Sequence, residues 1–310
     1  MFSSLIVLLA SAATWASAMS IQPEVRSNLT DMAFIKPGYL STFLETFEGR
    51  SGSLVSRSDW IVQLGTSYPG GPAQWGNNEF QSHTDSADNI RITNDQTLTI
   101  TPRLKYGSWT SARVETQKVF AAAPRGKLLI EARIKLGTAP ASQQQGIWNA
   151  FWAIGKDFRG NYWNWPAVTE WDILEVINGE SIMRTTAHCG TRPGGPCNED
   201  NGIGGPGAPF SRDDFHTVSL LVDRSLNNAP GQENWKTESL TWSLDGKDIF
   251  VLTGARVGDK AAWEKLAYDE HYLLLNIAIG GNWPGAPNSQ TVDGPAVAME
   301  VDYVGVWNSL

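Results

Sequence analysis

The stretches of this chain that can be buried are short, and turn residues cut them apart. Ile90–Ile92, Thr97–Pro102, Lys127–Leu136, Ile147–Ile154, Thr169–Ile177, Thr217–Asp223, Ser239–Leu244, Tyr272–Ile279 and Ala298–Trp307 are rich in β-branched, aromatic and aliphatic residues. Gly, Pro, Asn and Asp lie between them, which is the pattern of short strands joined by tight turns. Asp245-Gly246 is the residue pair of a two-residue hairpin. Ala261–Ala267 is expected as a short helix, and no internal repeat is visible. Short strands with one face to bury hide it best against a second sheet. The expectation is an all-β sandwich of two antiparallel sheets.

The 310 residues suffice for one large β domain. Residues 41–310 are expected to form it, and residues 19–40 read as a loose lead-in. Met1–Ala18 reads as a secretory signal, with an apolar run from Leu5 to Ala13 and the small-residue end Ala16-Ser17-Ala18. That run is too short to cross a bilayer, and the C-terminus carries no apolar tail for a lipid anchor. The expected location is outside the cell or in its wall. In an oxidising compartment Cys189 and Cys197, the only two cysteines, are expected to pair and staple the Gly/Pro-rich loop between them. Asn28-Leu29-Thr30 is a glycosylation sequon. A net charge of -8 argues against nucleic acid or an anionic membrane as partner. The 14 tryptophans suit stacking on flat sugar faces, with about half expected in the core. A monomer is the default.

Glu170-Trp171-Asp172-Ile173-Leu174-Glu175 places three carboxylates in an otherwise apolar strand. Such groups are costly to bury unless something pairs or uses them. Side chains alternate along a strand, so Glu170 and Asp172 share a face and Glu175, five positions on, falls on the other. One β-bulge near Ile173-Leu174 brings all three together and leaves Trp171, Ile173 and Leu174 to pack behind. Four effective steps span roughly 13 Å. Two leaning Glu side chains then bring their carboxyls to about 5–6 Å, near the 5–5.5 Å of retaining glycosidases and short of the 6.5–9.5 Å of inverting ones. Asp172 between them would hold their pKa values apart. The alternative is a solvated edge or a surface ion-pair ladder.

Around the acidic hexapeptide the chain resembles glycoside hydrolase family 16, from about Phe43 to Trp307. The resemblance rests on Trp75-Gly76-Asn77-Asn78-Glu79, Ser111-Ala112-Arg113, Gly146 to Trp152, Trp165-Pro166, Ala187-His188, Gly280 to Gly285 and Met299 to Tyr303. Secreted fungal members are nearest in style. The resemblance implies a jelly-roll β-sandwich with an open concave cleft. It implies Glu170 as nucleophile, Glu175 as acid/base and Asp172 as helper, with no cofactor in catalysis. It implies further that Trp148 and Trp152 line the cleft floor and that Trp165 and Trp283 stack on sugar. Arg113 and Asn78 match positions that hydrogen-bond sugar hydroxyls. His188 is expected to touch substrate or tune the acid/base, and Asp302 matches a structural calcium ligand on the convex face. His83, His216 and His271 are expected to be structural.

Many members read Gly-Glu-Ile-Asp where this chain has Thr169-Glu170-Trp171-Asp172, and Pro where it has Asn149. The activity implied is retaining endo-hydrolysis of β-1,3- or mixed β-1,3/1,4-glucan, a polysaccharide substrate. Alternatives are another β-linked polymer such as β-1,3-galactan, a wall-remodelling transglycosylase, and a glucan-binding protein without catalysis.

Overall fold

The strand His216–Asp223 shows how the chain buries itself. Val218, Leu220 and Val222 are buried, while the residues between them are half-exposed. That alternation marks a sheet with one face in the core. In the computed structural model, which describes residues 34–225 and 233–310, two such sheets face each other. The back sheet runs Lys247–Thr253, Ser239–Leu244, His216–Asp223, Lys127–Leu136, Met299–Ser309, Leu98–Ile100, Ile90–Ile92, and Tyr39–Glu45 also pairs with Met299–Ser309. The front sheet runs Ile203–Gly204, Ile182–His188, Glu170–Ile177, Ile147–Gly155, His271–Ile279, Arg113–Thr116, Trp60–Gln63, with Ala208–Pro209 beside Ile182–His188. Every pairing in these two sheets is antiparallel.

The expected strands therefore form, most within one or two residues of the positions read from the sequence. Tyr39–Glu45 begins inside the expected lead-in, because Tyr39 and Leu40 pair with Ser309 and Asn308. Asp245 and Gly246 join two back-sheet strands with φ of 49° and 74°, as a type I′ turn requires. The expected signal segment and Asn28 lie outside the described residues.

One core fills the space between the sheets. Trp60, Trp171, Trp242 and Trp263 are its largest fully buried side chains. Each hides roughly 200 Å². At about 25 cal/mol per Å² that stabilises the fold by up to about 5 kcal/mol apiece.

His271–Ile279 is buried on both faces. Its outer face is covered by a second cluster in which Tyr272, Leu274 and Ile154 meet Tyr68, Trp75 and Phe158 from overlying loops. Those loops raise one wall of a cleft over the front sheet.

The expected helix spans Lys260–Tyr268, capped by Asp259, whose Oδ1 accepts from the Ala262 amide at 2.9 Å. The last carbonyls of a helix lack partners within it. Here the carbonyl of Leu266 accepts from Trp171 Nε1 at 3.0 Å. The helix end is thereby tied to the front-sheet strand that carries the three carboxylates. This accounts for tryptophan at position 171 where the family pattern has isoleucine.

Candidate active site

The expected bulge is present. Phe151 pairs with Leu174 and Trp152 with Asp172, so Ile173 has no partner on the strand Ile147–Gly155. On the other side Thr186 faces Asp172 and Arg184 faces Glu175, so two steps on one strand match three on its neighbour. Glu170, Asp172 and Glu175 all open into the cleft, while Trp171, Ile173, Leu174 and Val176 belong to the core.

A bulge disrupts the ladder around it. The Asp172 carbonyl instead accepts from Trp242 Nε1, 2.9 Å away across the sandwich on the back sheet. Thr169, at the start of the strand, takes φ of 65°, a value glycine adopts freely and a β-branched residue rarely does. Its hydroxyl lies 2.8 Å from His271 Nε2.

Each carboxylate has its own polar partner. Trp165 Nε1 donates to Glu170 Oε2 at 3.1 Å, and Trp148 Nε1 donates to Glu175 Oε1 at 3.0 Å. Asp172 Oδ2 lies 3.3 Å from His188 Nε2. The other ring nitrogen, Nδ1, lies 2.8 Å from Glu199 Oε2, and Glu199 Oε1 accepts from the Cys189 amide at 2.8 Å. With a carboxylate at each nitrogen, both nitrogens donate and the ring is a cation. Burial by itself would lower the His188 pKa. The hydrogen bonds to Asp172 and Glu199 outweigh it and push the value up to about 11.

Glu170 and Glu175 are both raised well above the usual carboxylate range, first by burial and then by the charge of Asp172, while His188 pulls both back. Raised carboxyls beside an imidazolium let one group hold a proton at neutral pH while another stays charged.

The cleft encloses about 650 Å³ and is lined on its floor by Trp148, Ala150, Trp152 and Ile154, alternate residues of one strand. Trp148 and Trp152 thus share a face as expected, and Trp152 Nε1 donates to Asn276 at 2.7 Å. Trp165 lies against the His188 ring, 5.3 Å between centroids. Trp283 meets Trp148 edge-on at 5.5 Å and leaves 44% of itself exposed.

Two of the expected sugar contacts are placed differently. Arg113 reaches the cleft wall but is 5% exposed, its guanidinium about 5 Å from the rings of Tyr68, Trp75 and Trp152. It pairs with Glu115 at 3.5 Å, donates to Tyr68 Oη, and holds these aromatics in place. Asn78 takes φ of 58° in a turn, which directs its amide to Asn282 at 2.6 Å. It clasps two loops, and its neighbours Asn77 and Glu79 line the cleft instead.

Cys189 and Cys197 form the expected disulfide. Asp302 Oδ2 accepts from Arg133 Nη1 at 2.7 Å. On the same strand pair Glu300 and Glu131 are matched with Lys135 and Lys36, each at 2.7 Å. An arginine therefore supplies the positive charge at Asp302, and the side chains there do not fit a calcium cage. Elsewhere among the described residues, Glu170, Asp172 and His188 bring donor atoms within 4.8 Å of one another. In this arrangement both His188 nitrogens already face carboxylates, Asp172 at 3.3 Å and Glu199 at 2.8 Å.

Sequence reasoning missed Glu199, Tyr68, Tyr162 and Trp163. Tyr162 stacks on Tyr68 at 4.0 Å, and Trp163, 71% exposed, lines the cleft mouth. The tryptophan density between Gly155 and Trp165 was a usable signal for the last of these. Glu199 had none, because its place depends on how a loop closes.

Fold and carboxylate set together define a glycosidase of the jelly-roll class. No protein-family profile matches the sequence. The chain is 26% identical over 274 residues to glucan endo-1,3-beta-glucosidase A1 of Niallia circulans, covering 83% of this chain and 36% of that protein. It thus spans about a third of that relative's length. Among solved structures it is similar to endo-1,3-beta-glucanase from Streptomyces sioyaensis, at 38% identity and a TM-score of 0.82, over 89% of this chain and 98% of the other. It is also similar to a non-specific endo-beta-1,3(4)-glucanase from family GH16, at 25% identity and a TM-score of 0.63, over 88% and 92% of the two chains. The chain belongs to glycoside hydrolase family 16.

Proposed function

We propose that this chain is an endo-acting glycosidase that hydrolyses β-1,3- or mixed β-1,3/1,4-glucan with retention. The observation that carries the reading is the bulged strand, which aims Glu170, Asp172 and Glu175 into one tryptophan-lined cleft. The similarity to endo-1,3-beta-glucanases supports glucan as the substrate class.

Glu170 attacks the anomeric carbon while Glu175 protonates the leaving oxygen. Trp165 Nε1 and the charge of His188 favour the carboxylate form of Glu170. Burial and the charge of Asp172 raise both carboxyls, and the family resemblance assigns the proton to Glu175. Asp172, paired with His188 at 3.3 Å, stands between the two glutamates on the same face of the strand. In the second half Glu175, now a base, draws a proton from water as it attacks the glycosyl-enzyme. An open cleft with aromatic side chains beyond the carboxylates suits an internal cut in a long chain. The disulfide supports secretion, and with the signal-like Met1–Ala18 it suggests an extracellular or cell-wall monomer bearing a glycan at Asn28.

The test is to incubate the purified protein with laminarin, barley mixed-link glucan, β-1,3-galactan and xyloglucan and to identify the oligosaccharides released. Short oligomers from laminarin or barley glucan are expected. Cleavage of galactan alone would move the substrate, and longer chains formed from short ones would mark a transglycosylase. Binding of laminarin with no product would make the chain a glucan-binding protein. Glu170→Gln and Glu175→Gln should each lose at least roughly 10²–10⁴-fold in turnover while remaining folded. Azide should rescue Glu175→Ala to a β-glycosyl azide; an α product refutes retention.

A further inference from the structure

Glu199 is a buried acid that the reaction itself does not use. Its side chain is fully shielded from solvent, and among the described residues no lysine or arginine pairs with it. A lone buried carboxylate is costly, and an apolar residue of similar size is often the more stable choice. Its charged partner among the described residues is His188, at 2.8 Å. It is not on the front sheet. It lies two residues beyond Cys197, where the disulfide to Cys189 folds the loop back and Gly194 and Glu199 pair through their backbones. The amide of Cys189, one end of that disulfide, fixes the other carboxylate oxygen. The His188 ring is also confined by Gly202, where an added Cβ would come within 2.8 Å of Cε1 and 2.9 Å of Nδ1.

From these contacts we infer that Glu199 is a positioning residue for the hydrolytic reaction, acting through His188 on Asp172. The inference rests on the glycosidase reading above. Glu199 anchors Nδ1–H, so the ring must turn Nε2–H toward Asp172. A ring that donates at both nitrogens carries its charge to the carboxylates in the cleft. The groups facing that ring are Asp172 and Glu170 from the strand Glu170–Ile177 and Glu199 from the disulfide loop. Glu175 on the same strand feels its charge. Arg192, across Trp165, is held by Asp200 at 2.9 Å. Without Glu199 the ring keeps only Asp172 as a direct anionic partner and is free to lose its proton or rotate. Glu170 and Glu175 then lose the positive charge that opposes their mutual repulsion.

The test is the ring proton itself. In the intact protein the NMR signals of His188 should remain those of an imidazolium through pH 9. In Glu199→Gln they should titrate within pH 6–9, and kcat/KM should fall at least about tenfold across that titration while approaching the parent value below it. Glu199→Asp restores the charge at a shorter reach and should recover part of the alkaline activity. A parent His188 that titrates near 6.5 overturns the inference without any variant. So does a Glu199→Gln protein whose ring stays charged and whose activity falls equally at every pH, since that is a purely structural loss. If no glycan is cleaved but the His188 titration shifts as stated, the coupling stands and the hydrolase reading fails.

Discussion

Replacing Trp242 with phenylalanine tests whether the back sheet aims the chemistry. Trp242 is fully buried, and its indole N–H satisfies the Asp172 carbonyl beside the bulge. Phenylalanine leaves that carbonyl unpaired in the core, at about 1–3 kcal/mol. The smaller ring forfeits packing worth about 1 kcal/mol more. A total near 3 kcal/mol lowers the melting temperature by roughly 6–12 °C in a domain of this size. A carbonyl that relaxes back toward the ladder also shifts Glu175 relative to Glu170, and a displacement near 1 Å can remove about 10² in rate. Trp263→Phe is the control. Its indole is equally buried and donates to Glu238 at 2.8 Å, not to the bulged strand. The measurements are calorimetric melting and kcat on the best-cleaved glucan, well below either transition. Both variants should melt early, and only Trp242→Phe should lose turnover. A Trp242→Phe protein that melts early yet keeps kcat within about twofold would refute the argument.

Two further predictions concern protons. Asp172→Asn removes the charge that, after burial, does most to raise Glu175. The alkaline limb of kcat/KM, where Glu175 gives up the proton it must donate, should move to lower pH; a limb that stays fixed assigns the acid to another group. His271 is buried and held down to about 3, chiefly by burial. An unfolded imidazole titrates near 6.5, so this stabilisation is complete above that pH and drains away as pH falls toward 3, by up to about 5 kcal/mol. The gap in denaturation midpoint between the parent and His271→Gln should therefore shrink below pH 6.5, and a constant gap would mean that the folded ring is already charged.

Much of the fold was legible because strand patterns are local. Lys127–Leu136 and Ser239–Leu244 carry their alternation and their turns with them. The bulge was legible for a sharper reason: three costly carboxylates at i, i+2 and i+5 have no common face on a regular strand. For Arg113 and Asn78 a motif position gives a residue's address and not its aim, and both also read as a cleft-wall ion pair or a turn residue. Arg113 is drawn inward by three aromatic rings from separate segments. Asn78 is turned outward by one left-handed dihedral. The departure at Trp171 follows from the helix Lys260–Tyr268, which ends against it, a long-range contact that no local pattern carries.

All three carboxylates ride on a single strand, so their mutual spacing is written into eight consecutive residues. The aromatic rim, by contrast, comes from loops holding Trp163, Trp165 and Trp283. Chemistry and recognition are thus separately heritable. The loops that hold Trp163 and Trp283 can lengthen, shrink or be grafted from a relative without changing the spacing of the three carboxylates, so a lineage or an engineer can reshape that rim as long as Trp165 and the disulfide loop keep their hold on Glu170 and His188.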